Sequence, residues 1–275
     1  MMNERDFLTK EDYEEPQCLL DMYPEIHPIP RERVLDKLDR YLDAKDFKGA
    51  ERHLDYWLQE AESGNDGRGK LTVLNEQIGF YRKTEREDEA LTAVTAVLEL
   101  LEREKLSDSV TAATTCLNAA TAYKAFGKTE AALPLYEKAK TLYEKYLNPE
   151  DERLGGLYNN MAVTVADLGD YERAEQLYRL ALEILSEKKD CRGEAAVTYC
   201  NLADLTAARI GLAEGERQIA DYLEQAYALF RAPDLPRDGR YAFICEKCAP
   251  TFRYYGFFSY ADTLMRCAEE FYERT

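Results

Sequence analysis

The feature that most constrains the fold of this chain is a segment that occurs twice in succession. Gly127 in the first copy corresponds to Gly169 in the second, and the interval between these glycines is the period of the repeat. Each glycine has alanine at the seventh position before it, alanine at the fifth and twelfth positions after it, and tyrosine at the ninth. The positions after the glycine are spaced by three or four, so they share one face of a helix, and small residues there let two helices approach closely. The repeat therefore predicts helical hairpins with a glycine at the turn. The matching residues are Ala120, Ala132, Tyr136 and Ala139 in the first copy and Ala162, Ala174, Tyr178 and Ala181 in the second.

Weaker copies of the pattern occur on both sides of these two. Tyr81 and Ala90 precede Tyr123 and Ala132 by the same period, and in the last copy Gly256 is again followed by alanine at the fifth and twelfth positions. The copy between these regions preserves the first helix of the pair and indicates a lengthened turn. We therefore expect six hairpins, near residues 31–62, 70–106, 109–148, 151–188, 191–232 and 238–275, preceded by a non-repeat arm at 1–30.

Composition agrees with an all-helical chain and excludes several classes of partner. The 275 residues include only 14 glycines and 9 prolines, too few for the frequent turns of a strand-rich fold. The net charge of −17 makes binding to nucleic acid or to an anionic membrane surface unfavourable. Seven irregularly spaced cysteines, an acidic N-terminus and the lack of a membrane-spanning stretch predict a cytoplasmic protein.

The repeated pattern resembles the tetratricopeptide repeat (TPR), whose usual period is about 34 residues. The longer period of this chain is similar to that of kinesin light chains and of bacterial peptide-responsive regulators. The resemblance implies an all-α TPR-type α-solenoid of about six antiparallel helical hairpins that form a right-handed superhelix. It further implies an interaction module that binds an extended segment of a protein or peptide in its concave groove.

The arm at residues 1–30 does not match the repeat. It contains Pro16, Pro24, Pro28 and Pro30, which are typical of extended chain before a helix. Its apolar residues leave three arrangements open, namely a free arm, a cover on the first hairpin, and a segment that lies in the groove.

Asparagines recur where the resemblance places the concave face. One register of the first helices holds Asn118, Asn160 and, with a slip of one position, Asn201. The preceding register holds Asn75 and Asn159. Asparagine forms helices poorly, so this recurrence suggests a role. An amide can donate to and accept from an extended peptide backbone, which favours peptide binding in the groove. The alternative is that these amides bond to neighbouring helices of the solenoid.

Three basic residues share another register of the first helices. Arg82, Lys124 and Arg253 stand there, with Ala166 and Ala207 at the two remaining positions. In an acidic chain this predicts a partner with acidic or C-terminal carboxylate character, although Asp167 and Asp204 nearby weaken the case.

Motifs typical of enzymes, cofactor sites and metal sites are incomplete, so we expect no catalytic residues, no cofactor and no metal. The stretch "GNDGRGKL" nearly matches a phosphate-binding loop, but Leu71 replaces the required Ser or Thr. Cys245 and Cys248 form a C-x-x-C pair without the second pair that zinc requires.

The last hairpin is rich in aromatic residues. Because no further repeat follows to cover it, these residues either cap the solenoid or form a homodimer contact. The alternative to a peptide-binding module is therefore a self-assembling structural scaffold.

Overall fold

A computed structural model describes residues 25–233 and 235–273, which are almost entirely helical. The expectation for the arm at 1–30 falls mainly outside these residues. The helices of the described part are α1 (Arg31–Asp43), α2 (Phe47–Ser63), α3 (Gly67–Lys83), α4 (Glu87–Arg103), α5 (Val110–Ala125), α6 (Thr129–Tyr146), α7 (Glu152–Asp167), α8 (Tyr171–Leu185), α9 (Arg192–Ile210), α10 (Leu212–Phe230), α11 (Gly239–Tyr254) and α12 (Phe258–Tyr272). They form an all-α solenoid of helical hairpins, as predicted.

Glycines at the turns and N-cap residues define where the helices end and begin. Gly127, Gly169 and Gly256 adopt positive φ angles of 73°, 85° and 86° at the hairpin turns, where a residue without a β-carbon is favoured. Aspartate or serine N-caps then begin several helices by accepting a hydrogen bond from a backbone amide of the first turn. These caps are Asp46, Asp66, Ser109, Asp151, Asp170 and Asp238.

The small residues of the repeat lie where two helices meet. Ala132, Ala139, Ala174 and Ala181 are all fully buried, and the aromatic residues beside them, such as Tyr136, are nearly so. The second helix of a hairpin packs against the first helix of the next one, as in α2–α3, α4–α5, α6–α7 and α8–α9. Stacking therefore buries apolar faces that a single hairpin would leave in water.

The fifth hairpin corrects one sequence expectation. Its turn is short rather than lengthened, because α9 ends at Ile210, Gly211 has a φ of 87°, and α10 begins at Leu212. The second helix thus starts without the linking N-cap residue that Asp170 provides in the preceding hairpin.

The described end of the arm is tied to the first two hairpins. The backbone amide of Ile29 donates to the buried carboxylate of Asp66 at 2.9 Å, and the amide of His27 donates to the carbonyl of Gly64 at 2.8 Å. These bonds hold the chain beside the start of α3 as it enters α1.

The inner groove as a candidate binding site

The first helices of successive hairpins form one surface of the solenoid. Contacts join α3 to α5, α5 to α7, α7 to α9 and α9 to α11. We call the surface made by their exposed and half-exposed faces the inner groove. One cleft in it is lined by residues from α1, α3, α5 and α7 together, so these helix faces converge. The predicted asparagines and basic residues can be located on this surface.

Asn75 on α3 is fully engaged by neighbouring groups. Its Nδ2 donates to the carbonyl of Leu71 at 2.8 Å and to Oγ1 of Thr115 at 3.0 Å, and its Oδ1 accepts from Nδ2 of Asn118 at 2.9 Å. Asn75 therefore joins α3 to α5, which matches the alternative of amides that bond to neighbouring helices.

Asn159 on α7 has a similar position toward the next hairpin. Its Oδ1 accepts from Oγ1 of Thr198 and from Nδ2 of Asn201, both at 3.0 Å on α9. Asn160 is half-buried, and its side chain makes no hydrogen bond with any residue in the described ranges. The amides of the register that contains Asn75 and Asn159 thus connect neighbouring first helices.

The other register keeps hydrogen-bonding capacity toward the groove. Asn118 and Asn201 each donate once to a neighbouring asparagine, and their own Oδ1 atoms accept no hydrogen bond from the residues that the structure describes. All three of Asn118, Asn160 and Asn201 are half-buried rather than enclosed. They can therefore bond to a ligand without first breaking the contacts of Asn75 and Asn159.

The basic residues of the third register differ in their availability. Nζ of Lys124 lies 3.3 Å from Oδ2 of Asp167, and the guanidinium of Arg253 lies 2.5 Å from Oδ1 of Asp262. Arg82 is exposed, and no ion pair joins it to another described residue. The structure therefore leaves Arg82 as the member of this register whose charge is not offset by a carboxylate.

Charged side chains in the inner groove lose solvation although water reaches them. The pKa of Arg82 is lowered by desolvation, and the pKa values of Glu76 and Asp204 are raised by the same cause. For Asp204 this outweighs the hydrogen bond that its Oδ1 accepts from the hydroxyl of Tyr255 at 2.9 Å. Protein surrounds these groups closely enough to weaken their hydration, so a ligand of opposite charge would displace little water from them.

Three arginines that sequence analysis did not single out frame one cleft of about 640 Å³ in the inner groove. Arg31 is the first residue of α1, while Arg68 and Arg153 are the second residues of α3 and α7. We call this the arginine cleft. Glu76 is the acidic residue in its lining. Further polar atoms in the same walls come from Thr72, Asn75, Thr111 and Asn118.

The positions of these arginines are unfavourable for the helices themselves. A cation in the first turn opposes the positive end of the helix dipole. Arg153 is compensated by a double hydrogen bond to Asp151 at 2.9 and 2.7 Å, whereas Arg31 and Arg68 form no ion pair with a described residue. An anionic ligand in the cleft would supply the missing compensation.

The described ranges offer neither a metal site nor a membrane-spanning helix. No cluster of three or more His, Cys, Asp or Glu side chains there has the arrangement of a metal site, and Cys245 and Cys248 are buried in α11. None of the helices in the same ranges combines the length and apolar character needed to cross a lipid bilayer.

Comparison with known proteins supports the repeat assignment. Tetratricopeptide-repeat family models match residues 70–145 and 155–188. A Podosopora anserina protein described as a kinesin light chain with nearly identical TPR-like repeats is similar in fold, with a TM-score of 0.52 and 17% identity over 74% of this chain and 94% of that one. BtubC (BKLC) from P. vanneervenii gives a TM-score of 0.55 and 16% identity over 89% of this chain and 91% of that one. No curated protein matches the sequence significantly.

Proposed function

Since this chain is a tetratricopeptide-repeat protein that resembles kinesin light chain in fold, we propose that it binds an extended, acidic segment of a partner protein in its inner groove. Tetratricopeptide repeats generally act in protein–protein interaction, because stacked hairpins present a long surface to a partner. The acidic character of the partner is the additional element of this proposal.

The observation that carries the proposal is the arginine cleft. The protein has a net charge of −17, yet Arg31, Arg68 and Arg153 converge at one end of the groove. Arginine bonds to carboxylates through two parallel hydrogen bonds, so it suits side chains of Asp and Glu or a chain terminus. Within the cleft and beyond it, the available amides can pair with the backbone of the same segment. These amides belong to Asn118, Asn160 and Asn201.

Selection from a random-peptide display library, followed by affinity measurement on the peptides selected, tests the proposal. We expect the selected peptides to be enriched in Asp and Glu. Arg31→Glu combined with Arg68→Glu should weaken their binding at least tenfold, about 1.4 kcal/mol, because attraction becomes repulsion. Arg33→Glu combined with Arg40→Glu is the matched control, since it makes the same change of charge on exposed residues of α1 that do not line the cleft.

The amide register has its own test with the same peptides. Asn118→Ala, Asn160→Ala and Asn201→Ala together should weaken binding of peptides that contact the groove, with the melting temperature recorded to detect any loss of folding. Selected peptides without acidic enrichment, or equal losses in the cleft and control variants, would contradict an acidic partner.

The alternative of a self-assembling scaffold is favoured by one surface. Phe243, Tyr254 and Phe258 in the last hairpin are 54%, 72% and 61% exposed, which is unusual for large apolar side chains. Light scattering of the wild type and of a variant with Tyr254→Ser and Phe258→Ser tests this function. A dimer that becomes a monomer in the variant would support it, and a monomeric wild type would exclude it.

A further inference from the structure

The two ends of the solenoid contact each other. Lys45, in the turn between α1 and α2, places its ammonium 4.8 Å from the ring centroid of Tyr272, the last residue of α12. That distance is within the range of a cation–π interaction. The first and last hairpins, which are most distant in sequence, therefore meet in space.

A second pair of residues supports the same contact. A β-carbon placed on Gly239, the first residue of α11, would lie 3.8 Å from Oδ1 of Asp43 at the end of α1. The carboxylate of Asp43 thus faces the positive N-terminal end of α11, an arrangement that attracts it. Asp43 also acts on Tyr272, because its charge is among the causes that raise the pKa of that phenol.

This contact changes the form of the inner groove. A row of hairpins that touch only their sequence neighbours leaves the groove open along its whole length. Here side chains at the end of α1 and in the turn after it meet the start of α11 and the end of α12, so the groove is bridged at this contact into a channel. Arg82, Glu76 and Asp204 lie on the first helices that form this channel, and desolvation shifts the pKa of each of them although water still reaches them.

The contact is also easy to break. The three hydrophobic clusters of the described residues join neighbouring hairpins, and none of them joins the first hairpin to the last. What holds the ends together is a small set of polar and aromatic side chains, and salt screens such interactions. Opening therefore exposes little apolar surface, so both the closed and the open form are accessible.

We propose that Lys45 and Asp43 on one side, and Tyr272 and the start of α11 on the other, form a latch that opens and closes the channel of this solenoid. The latch gives or denies a partner sideways entry to the inner groove. It is independent of the chemistry of that partner, so it can be tested without any ligand.

Disulfide trapping tests the closed form. In a protein with Asp43→Cys and Gly239→Cys, we expect mild oxidation to join these two positions in most molecules, as detected by mass spectrometry of proteolytic peptides. The added β-carbon at Gly239 is tolerated, because its nearest neighbour, in the ring of Phe271, is 3.5 Å away. The control pair is Asp36→Cys with Gly239→Cys, two turns earlier on the same exposed face of α1. Equal cross-linking of the two pairs would overturn the proposal.

Small-angle X-ray scattering tests the opening. Lys45→Ala combined with Tyr272→Ala should have a larger radius of gyration than the wild type, while the oxidised protein with Asp43→Cys and Gly239→Cys should match the wild type in low salt. Lys105→Ala with Tyr146→Ala is the control, since Lys105 is also a turn lysine with a φ of 54° but neither residue contributes to the latch. If the radius of gyration of the latch variant equals that of the wild type, the proposed latch does not hold the channel closed.

Discussion

At the scale of single residues, the asparagines separate into two roles. Asn75 and Asn159 use their amides to connect first helices, whereas Asn118, Asn160 and Asn201 retain capacity that faces the groove. Removal of Asn75 or Asn159 should affect stability, whereas removal of Asn160, whose side chain bonds to no described residue, should affect binding alone. The distinction can therefore be measured without knowledge of the natural partner.

Asn75→Ala should lower the free energy of unfolding by about 1–2 kcal/mol, because it removes three hydrogen bonds and leaves the polar partners on α5 without them. Asn160→Ala should change it by less than about 0.5 kcal/mol, since this side chain bonds to no described residue and alanine favours the helix. Chemical denaturation of the two variants compares them directly. Equal stability losses would contradict the assignment of roles.

The repeat period predicted the registers of the asparagines but not their hydrogen-bond partners. The same pairing occurs twice, since Asn75 accepts from Asn118 on α5 and Asn159 accepts from Asn201 on α9. The period does not specify these bonds, because it places residues on one face of a helix but does not fix the distances between side chains of adjacent helices. The arginines of the cleft were not predicted either, because they recur at no common spacing and meet only in three dimensions.

At the scale of helices, a close approach between α7 and α8 in the fourth hairpin depends on a glycine. A β-carbon on Gly155 of α7 would lie 2.7 Å from Cγ of the buried Leu185 in α8, whereas one on the adjacent Gly156 would meet no atom of the other described helices within 4 Å. The two glycines are neighbours in the same helix, so they form a natural matched pair.

Gly155→Ala should destabilise the protein by about 1–2 kcal/mol, because overpacking of α7 against α8 outweighs the gain in helix propensity. Gly156→Ala should instead stabilise it by about 0.5–1 kcal/mol through helix propensity alone. Thermal unfolding of both variants gives the comparison. Stabilisation of both would show that the two helices can separate at little cost.

The fifth hairpin shows why helices were easier to predict than turns. Gly211 follows Gly169 at the same interval that separates Gly169 from Gly127, so the period does continue. Because α10 begins directly after Gly211, its buried residues fall earlier than the pattern requires, with Gly215 and Ile219 preceding the positions that correspond to Ala174 and Tyr178. A displacement of one position rotates a helix by about 100°. Because of this displacement, the sequence of the second helix in the fifth hairpin does not match the other copies of the repeat. The mismatch suggested a longer turn.

At the scale of the whole molecule, the all-α solenoid could be predicted but its closure could not. Each hairpin is fixed by local spacing and by contacts with its neighbours, which the sequence records in Gly127 and Gly169 and in the alanines around them. Whether Lys45 reaches Tyr272 depends on the rotations between all successive hairpins added together. No single residue specifies the sum of these rotations.

Closure has a consequence for the pH dependence of stability. The pKa of Glu76 is raised above its usual value of 4.5 by desolvation in the channel and by the negative charge of Asp39. Glu76 is therefore easier to protonate in the folded than in the unfolded protein, and at neutral pH its charge destabilises the fold. An uncharged side chain at this position removes that cost.

Glu76→Gln should accordingly raise the melting temperature at pH 7 by about 2 °C. The gain should shrink as the pH falls through the raised pKa, because the wild type then takes up its proton, and it should vanish below about pH 4.5. Glu99→Gln, the same substitution at an exposed position on α4 outside the inner groove, is the matched control. A gain for Glu76→Gln that stays constant between pH 7 and pH 4 would mean that the amide itself, rather than relief of a poorly solvated charge, stabilises the protein.

Since an open groove would hydrate Glu76 more fully, the latch variant Lys45→Ala with Tyr272→Ala should reduce the gain in melting temperature from Glu76→Gln at pH 7.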